Sequence, residues 1–419
     1  MDKDDLELIQ NEVIKGTRRD IANKFGIDID LIDQRIDIQK NIEILGDDLT
    51  FLNVPEYQRT KHVHRLHPYL GKFIPQLVEV FQKKYFKKGD IILDPFSGCG
   101  TTLIEANVLG INSIGIELSP FNVLIQKVKS RTYDIPQVEW EIKDALRRLK
   151  RFSYQIRNDD SRLFKEDSRK FDTKSDYLKA WFSERALQEI LFYKSIIEDY
   201  KNQDVLKIIL SRSARSARLI PHYDLARPQK PVRETYWCIK HKRYCSPIDE
   251  ALKFINRYSY DTIRRLKEFS KIKTDAFIEI YQGDARTVKL PKDVKIDGVF
   301  TSPPYIGVID YHEQHKYAYE LFDFERFDDQ EIGPAQKGQN GRAKSEYMDG
   351  IVDVFKNVSP YLKDGALIFI VANDKFDLYP KIGEICGFKL IDVFHRPVLM
   401  RTERDSNKYF ESIFYFQKQ

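Results

Sequence analysis

The chain has 419 residues, of which 42% are hydrophobic, so it is long enough for two to three domains and too apolar to be disordered overall. Its 69 Lys and Arg residues barely exceed its 64 Asp and Glu residues, so local clusters of charge matter more than the net charge of +5. Four cysteines are too few for a disulfide framework, and because neither an apolar signal region nor a stretch of roughly 18 apolar residues is present, we expect a soluble cytoplasmic protein without a membrane partner.

The first predicted element is a helical segment over residues 1–55. Apolar residues recur there at helical spacing, and Gly26 separates two stretches that are typical of a helix pair. Such a pair is either a small helix-turn-helix that contacts DNA or an extension that packs on the main domain. The sequence leaves both interpretations open.

From residue 67 the pattern is that of an α/β fold. A helical stretch, IPQLVEVFQKKYF, precedes the short strand GDIILDPF, a glycine loop, the helix TTLIEANVLG and a second strand, INSIGIEL. This order is a βαβ unit, which implies a parallel sheet with right-handed crossovers. The pattern returns after residue 275 and ends in two stretches, GFKLIDVFHRPV and ESIFYFQK, that indicate an antiparallel pair at the end of the sheet.

The predicted fold class is therefore α/β, with a Rossmann-like sheet built from residues 56–125 and 276–419. Residues 126–275 interrupt this sheet with long helical patterns and irregular basic sequence. We expect them to form an inserted, mainly helical domain.

The loop DPFSGCGTT, from Asp94 to Thr102, follows a strand and begins a helix. Gly98 and Gly100 permit the tight turn and the close backbone approach that a bound cofactor requires. No lysine follows Gly100, which disfavours a nucleoside triphosphate, and the loop lacks the full dinucleotide fingerprint.

Two acidic residues at later strand ends strengthen the interpretation of this loop as part of a nucleoside site. Glu117 ends the next strand, where a carboxylate accepts hydrogen bonds from ribose hydroxyls. Asp284 follows a third strand, where it is placed to meet an adenine amino group. The alternative is structural, with Asp94 capping the turn and Glu117 lying at the surface.

The sequence SPPY, residues 302–305, follows the apolar run IDGVF. Pro303 and Pro304 hold the backbone extended and turn carbonyl oxygens outward without competing N–H donors. Ser302 Oγ and the Pro303 carbonyl can accept hydrogen bonds from an exocyclic amine, which returns the nitrogen lone pair for attack on a methyl sulfonium. Tyr305 offers a flat face for an extruded base. A turn that merely closes a strand is the alternative.

Together the motifs DPFSGCGTT and TSPPY, with HPYLGKFIPQLV upstream, resemble the amino-methyltransferases that methylate exocyclic amines of DNA bases. The resemblance covers about residues 60–125 and 275–419. It implies S-adenosyl-L-methionine as the cofactor, double-stranded DNA as the substrate, and a restriction-modification system whose endonuclease is a candidate partner. The order of the motifs resembles the family's α arrangement, although Asp284 lies closer to the SPPY motif than that arrangement leads us to expect.

The resemblance also implies which residues contact the cofactor and which base is methylated. The expected cofactor contacts are Tyr69, Lys72, Phe73, Asp94, Phe96, Gly98, Gly100, Thr101, Glu117 and Asp284. Ser302 favours cytosine N4, because family members with Asp or Asn at that position mostly methylate adenine N6. Methylation of adenine, of RNA or of a protein glutamine, and a non-catalytic DNA-binding regulator, stay open as alternatives.

The segment 126–275 contains the densest basic stretch of the chain. Three of its arginines are spaced three apart, so that a helix would place them on one face, where they would meet phosphates or remain a solvated basic face. The predicted DNA contacts are Arg212, Arg215, Arg218, Lys240, Lys242 and Arg243.

The same stretch carries Cys238, His241 and Cys245, with His222 as the nearest further candidate ligand. A structural zinc site needs four ligands, and no second cysteine pair lies nearby in sequence. We therefore assign no metal and interpret the cysteines as packed thiols, with zinc as the alternative.

Two histidines downstream of the SPPY motif, His312 and His315, are predicted to be surface residues and not catalytic bases. The methylated ammonium product is acidic enough to lose its proton to water, so no protein base is needed. The polar, Gly-rich residues 333–347 are a candidate loop for closing over DNA.

Overall fold

The computed structural model describes residues 45–46, 48–51, 54–69, 71, 73–158, 171–224, 228–398 and 409–419. The helix pair predicted within residues 1–55 lies outside this range apart from its last residues, so neither interpretation of it is tested. Among the described helices, none has the length and apolar character needed to cross a membrane.

Most of the described strands form one seven-stranded sheet with the order β5-β2-β1-β6-β7-β9-β8. The strands are β1 (Ile91–Asp94), β2 (Asn112–Glu117), β3 (Tyr236–Cys238), β4 (Arg243–Cys245), β5 (Ile278–Gln282), β6 (Ile296–Thr301), β7 (Leu362–Ala372), β8 (Phe388–Val398) and β9 (Tyr409–Lys418). All neighbouring pairs of the large sheet are parallel except those of β9 with β7 and β8. Strands β3 and β4 form a separate antiparallel hairpin. The predicted α/β class and the antiparallel end pair are confirmed.

Helices cover both faces of the sheet. They are α1 (Glu56–Arg59), α2 (Pro75–Tyr85), α3 (Thr101–Val108), α4 (Pro120–Ser130), α5 (Ile135–Asn158), α6 (Asp176–Trp181), α7 (Glu184–Ile196), α8 (Gln203–Ala217), α9 (Leu252–Ser270), α10 (Tyr311–Gln314), α11 (Lys316–Phe322), α12 (Gly341–Val358) and α13 (Tyr379–Ile385). Because α12 begins at Gly341, only the first half of the predicted Gly-rich loop is a loop.

Neighbouring residues of the central strands face opposite helical layers. In β1, Ile92 packs in a cluster with Leu77 of α2, whereas Leu93 packs in a cluster with Phe355 of α12. Strands buried on both faces are continuous apolar runs, which is why the β1 and β6 sequences were recognisable.

The predicted inserted domain packs as an outer helical layer against the sheet domain. Ile190 of α7, Leu206 of α8 and Ile263 of α9 share one hydrophobic cluster with Ile104 of α3 and Tyr317 of α11. The predicted boundary between residues 125 and 126 falls inside α4, and the boundary at residue 275 lies just before β5. The division into domains stays a prediction.

Candidate active site

The carboxyl ends of β1 and β6 lie side by side in the middle of the sheet. From β1 the sheet continues through β2 to β5, and from β6 it continues in the opposite direction to β7, so the two strands flank a topological switch point. Open α/β sheets bind ligands at such points. A cleft of about 910 Å³, which includes space open to solvent, lies at this edge, and residues of both the glycine loop and the SPPY motif line it.

The glycine loop is held in place by side chains of α4. Gly98 and Gly100 adopt φ of +50° and +78°, a region that side chains with a Cβ rarely occupy. Gln126 Nε2 donates to the Gly98 carbonyl at 2.8 Å, and the buried Lys129 ammonium donates to the Cys99 carbonyl at 2.6 Å. Gly98 and Thr101 line the cleft, while Gly100 ends the loop at the start of α3.

Glu117, at the end of β2, lies directly against the glycine loop. One carboxylate oxygen accepts from the Gly98 N–H at 2.8 Å, and the other accepts from the Ser119 N–H at 2.8 Å and from Asn122 Nδ2 at 3.1 Å. Burial raises the pKa of Glu117 to about 7 in spite of these three bonds. Because a carboxylate offers about four acceptor positions, roughly one remains for a ligand hydroxyl.

Asp94 joins the two central strands. Its Oδ1 accepts a hydrogen bond of 2.6 Å from Thr301 Oγ1 at the end of β6 and one of 3.1 Å from the Phe96 N–H. Burial raises the pKa of Asp94 to about 6, and these hydrogen bonds work against that rise. Asp94 is also one of the residues that line the cleft, and its role as a cofactor contact stays a prediction beside the structural alternative.

Asp284 also lines the cleft, but its carboxylate is already paired with Arg286. The Arg286 side chain donates to both carboxylate oxygens over 2.6–2.9 Å, and the Arg286 N–H donates to Oδ1 at 2.9 Å. These bonds use the acceptor positions that an adenine amino group would need. The predicted contact therefore requires Arg286 to move, and it stays a prediction.

The SPPY loop is fixed from the side opposite the glycine loop. Ser302 and Pro304 line the cleft, and the Pro304 carbonyl accepts a hydrogen bond of 2.9 Å from Tyr347 of α12. The Tyr305 hydroxyl donates to Glu411 Oε1 of β9 at 2.9 Å. Glu411 in turn forms an ion pair with the buried Arg396 at 2.9 Å, so the Tyr305 ring has a defined position.

Aromatic rings close the cleft on the side of the upstream motif. Tyr69 stacks on Tyr311 and His315 with ring centroids 5.9 Å and 5.6 Å apart, and its hydroxyl lies 3.3 Å from where a Cβ on Gly98 would be. Phe73 and Phe96 also line the cleft, whereas Lys72 lies outside the described residues.

The prediction that His312 and His315 are surface residues is wrong. Both are buried, His312 on α10 and His315 directly after it, where its ring packs against Tyr69. His312 Nδ1 makes a short contact with Glu331 Oε1, and burial lowers the pKa of His315 to about 3. Sequence reasoning also missed Tyr311 and Glu331 as residues that line the cleft.

The arginine row of α8 is not the exposed face that the spacing indicated. Arg212 and Arg218 are 7% and 5% exposed, Arg212 pairs with Asp261 of α9 at 2.8 Å, and the Arg218 guanidinium lies over the Tyr317 ring. Arg215 is half-buried. A buried guanidinium that already has partners cannot reach a phosphate without leaving them, so Arg212 and Arg218 are structural, while DNA contact by Arg215 stays a prediction.

The other predicted DNA contacts are exposed. Lys240, Lys242 and Arg243 all lie on the β3–β4 hairpin, next to the exposed rings of Trp237 and Tyr244. Cations interleaved with aromatic side chains are typical of nucleic-acid surfaces. The hairpin therefore keeps its place as the predicted contact region.

The cleft suits the chemistry of S-adenosylmethionine, which combines a nucleoside with a cationic sulfonium and an amino acid. Its polar lining is acidic, with Asp94, Glu117, Asp284 and Glu331, and such a lining favours a cation. Rings and apolar side chains such as Phe96 and Ile332 supply surface for the adenine. The donor set and the charge therefore fit the cofactor.

The comparisons with known proteins agree with this geometry. A family model described as a DNA methylase of the N6 and N4 amino-methyltransferase type matches residues 15–128. Type II methyltransferase M.MjaII of Methanocaldococcus jannaschii is 42% identical, and the alignment covers 94% of this chain and 89% of that protein.

Two more distant relatives carry names of the same kind. Type II methyltransferase M.MvaI of Kocuria varians is 26% identical over 64% of this chain and 58% of its own length, and M.BsoBI of Geobacillus stearothermophilus is 27% identical over 69% and 58%. The resemblance drawn from the motifs is confirmed. The chain belongs to the N4 and N6 family of type II DNA amino-methyltransferases, whose cofactor is S-adenosylmethionine.

Proposed function

We propose that the protein methylates cytosine N4 in a specific DNA sequence, with the target base flipped out of the duplex into the cleft beside Ser302. The observation that carries this proposal is the placement of the SPPY loop and the glycine loop on one cleft, at the ends of adjacent parallel strands. A cofactor held by the glycine loop would thereby face a base held by the SPPY loop.

S-adenosylmethionine supplies an electrophilic methyl group when it is bound. In our proposal Glu117 orients the ribose, Tyr69, Phe73 and Phe96 pack around the cofactor, and Asp94 faces its positive charge. Asp284 accepts from the adenine after Arg286 has moved. Each of these contacting residues lines the cleft, so its side chain would meet the cofactor there.

The SPPY loop prepares the amine for attack. Ser302 Oγ and the Pro303 carbonyl accept its two N–H bonds, which localises the lone pair on nitrogen. Because Tyr347 fixes the Pro304 carbonyl and Glu411 fixes the Tyr305 hydroxyl, the loop needs little reorganisation when the base arrives. The proton of the product leaves to water, because burial lowers the pKa of His315 to about 3 and makes this histidine a weak base.

DNA, rather than RNA or protein, is the substrate that the DNA methylase family model and the exposed cationic hairpin support. In our proposal Lys240, Lys242 and Arg243 contact phosphates and position the duplex. A cognate endonuclease would recognise the same sequence, as expected of a type II restriction-modification system.

The decisive experiment combines labelled cofactor with base-resolved sequencing. Purified protein is given methyl-labelled S-adenosylmethionine with DNA, tRNA or protein extract, and DNA from expressing cells is sequenced for modified bases. We expect label only in DNA, and N4-methylcytosine in one short sequence. N6-methyladenine in place of N4-methylcytosine would overturn the choice of base, and label in tRNA or protein alone would overturn the choice of substrate.

Two variants of Tyr305 test the stacking role within the same assay. Tyr305→Ala removes the ring and should cost roughly 1–3 kcal/mol of base stacking, read as a loss of kcat/KM for DNA. Tyr305→Phe keeps the ring and loses only the hydrogen bond to Glu411, so it should retain most activity. Equal losses for both variants would contradict stacking as the role of the ring.

A further inference from the structure

Four side chains with metal-binding atoms meet at the base of the β3–β4 hairpin, on elements that do not line the cofactor cleft. His222 follows α8, Cys238 ends β3, His241 lies in the turn, and Cys245 ends β4. One ligand atom from each residue lies within 4.8 Å of all the others. The fold thus supplies the fourth ligand, His222, from a segment that precedes the hairpin.

The ligand atoms are close enough for one metal ion to reach all four after small side-chain movements. His241 Nδ1 lies 3.4 Å from Cys245 Sγ, and His222 Nδ1 lies 4.0 Å from Cys238 Sγ. Zinc bonds of 2.0–2.1 Å to nitrogen and 2.3 Å to sulfur require ligand atoms about 3.3–3.8 Å apart. Tyr236 Oη also lies 3.0 Å from His222 Nδ1, so this nitrogen must exchange that hydrogen bond for the metal when it acts as the ligand.

The donor set selects the metal. Two thiols and two imidazoles suit zinc, whereas calcium and magnesium prefer oxygen ligands. Neither cysteine forms a disulfide, and the residue that pairs with Cys238 across the hairpin is Arg243. Both sulfurs belong to buried residues, and four protein ligands leave no open position, so the site is structural and not catalytic.

The hairpin also needs an additional constraint. Its strands have three residues each, and Trp237, Ile239 and Tyr244 are more than half exposed, so it buries little apolar surface of its own. Two-stranded hairpins of this kind are at best marginally stable in water. Lys242, directly after His241, has a φ of +49°, a conformation that a lysine adopts only where its surroundings fix it.

A second cluster of candidate ligands differs from the first because its carboxylate is already paired. His62, His64 and Glu105 also bring three candidate ligands together in the protein interior. There, however, the Lys61 ammonium lies 2.7 Å from Glu105 Oε2, and His64 Nε2 lies 2.8 Å from Oε1. The carboxylate already has its cation, so this cluster is an ion-pair network.

We infer that His222, Cys238, His241 and Cys245 bind one structural Zn²⁺ ion. Binding displaces the two thiol protons, and two thiolates with two neutral imidazoles balance the charge of the ion. The ion ties the hairpin turn to the segment after α8. It thereby fixes the orientation of Lys240, Lys242 and Arg243 relative to the helical layer.

Metal content of the full-length protein tests the site directly. The protein is produced in zinc-supplemented medium, purified without chelators, and measured by plasma mass spectrometry. We expect one zinc per chain in the wild type and in Cys386→Ser, a cysteine outside the cluster, and loss of that zinc in Cys238→Ser and Cys245→Ser. A wild type without stoichiometric zinc, or a Cys238→Ser variant that keeps it, would overturn the inference.

A second measurement covers the case in which the serine variants fail to fold. Zinc is removed from the wild type with a chelator and replaced by Co²⁺, whose absorption spectrum reports tetrahedral geometry and thiolate ligands. We expect that spectrum, together with an unchanged Kd for S-adenosylmethionine and weaker DNA binding by the zinc-free protein. A spectrum without thiolate bands rejects the site. Neither measurement requires methyl transfer, so a failure of the proposed function would not be mistaken for a failure of the site.

Discussion

Charged residues in the cleft at the strand ends lie beside open space, whereas charged residues in the adjacent helical layer are buried against neighbouring elements. In the cleft, Glu117 and Asp94 are held by the loops that they face and remain next to the space for a ligand. In the helical layer, Arg212 and Arg218 are buried and fully engaged by neighbouring elements. A charged residue in a motif is therefore a guide to chemistry only where the fold leaves it beside open space.

The largest effect on stability that separates the two regions is expected from Arg212→Ala. This change removes a buried guanidinium from Asp261, which keeps Arg264 and Arg265 as partners, so the free energy of unfolding should fall by about 1.5–3 kcal/mol. The matched control is Arg264→Ala, which removes a 59% exposed partner of the same carboxylate and should cost less than about 1 kcal/mol. Denaturant unfolding of both variants measures the difference. Equal losses would mean that Arg212 is not structural.

In the cleft, by contrast, we expect Ser302→Ala to affect catalysis and not stability. Loss of one acceptor that acts on the amine in the transition state should lower kcat by about 10²–10³-fold, while the Kd for S-adenosylmethionine and the free energy of unfolding stay close to wild type. Ser270→Ala, at the exposed end of α9, is the control and should keep full activity. Single-turnover methylation measures the chemical step. A wild-type rate for Ser302→Ala would remove the serine from the mechanism.

The sequence predicted the positions of functional residues only where a local pattern determines the structure. The strands IILD and IDGVF are apolar runs because both faces are covered, so the residues at their ends could be placed on one edge of the sheet. Glu117 was predicted for the same reason, because it ends the neighbouring strand β2.

What the sequence did not reveal depends on contacts between distant parts of the chain. Nothing in the spacing of the arginines indicates that Asp261 of another helix covers Arg212, and nothing near His312 indicates that Glu331 will bury it. The sequence did offer His222 as a candidate ligand, but only the return of the loop after α8 to the hairpin brings it to the cysteine cluster. Such long-range partners are set by packing, not by local pattern.

The pH dependence of cofactor binding sharpens the comparison within the cleft. Burial raises the pKa of Glu117 to about 7, so the carboxyl is increasingly protonated below pH 7 and stops accepting from a ribose hydroxyl. The affinity for S-adenosylmethionine should therefore fall as the pH decreases, by up to about tenfold per pH unit for one coupled proton. Since burial raises the pKa of Asp94 only to about 6, the range between pH 6 and 7 reports mainly on Glu117.

Calorimetry on the wild type and on Glu117→Gln from pH 6 to 8 measures this effect. The variant cannot ionise at that position, so its affinity should be weaker and nearly flat over the range. A wild-type affinity that rises as the pH falls would have the wrong sign for a carboxylate acceptor.

The smallest effect, and the counterpart of Arg212, is expected from Arg243→Ala on the hairpin. Arg243 is exposed, so the free energy of unfolding should change by no more than about 0.5 kcal/mol. If its guanidinium contacts a phosphate, DNA affinity should weaken for all sequences alike, and the slope of log K against log salt concentration should decrease by about 1. Lys143→Ala, which removes an exposed cation from α5, should leave that slope unchanged. Arg212→Ala would then lower the free energy of unfolding without removing a DNA contact, and Arg243→Ala would weaken DNA binding without changing the free energy of unfolding. The pair therefore tests whether burial alone separates structural cations from those that bind DNA.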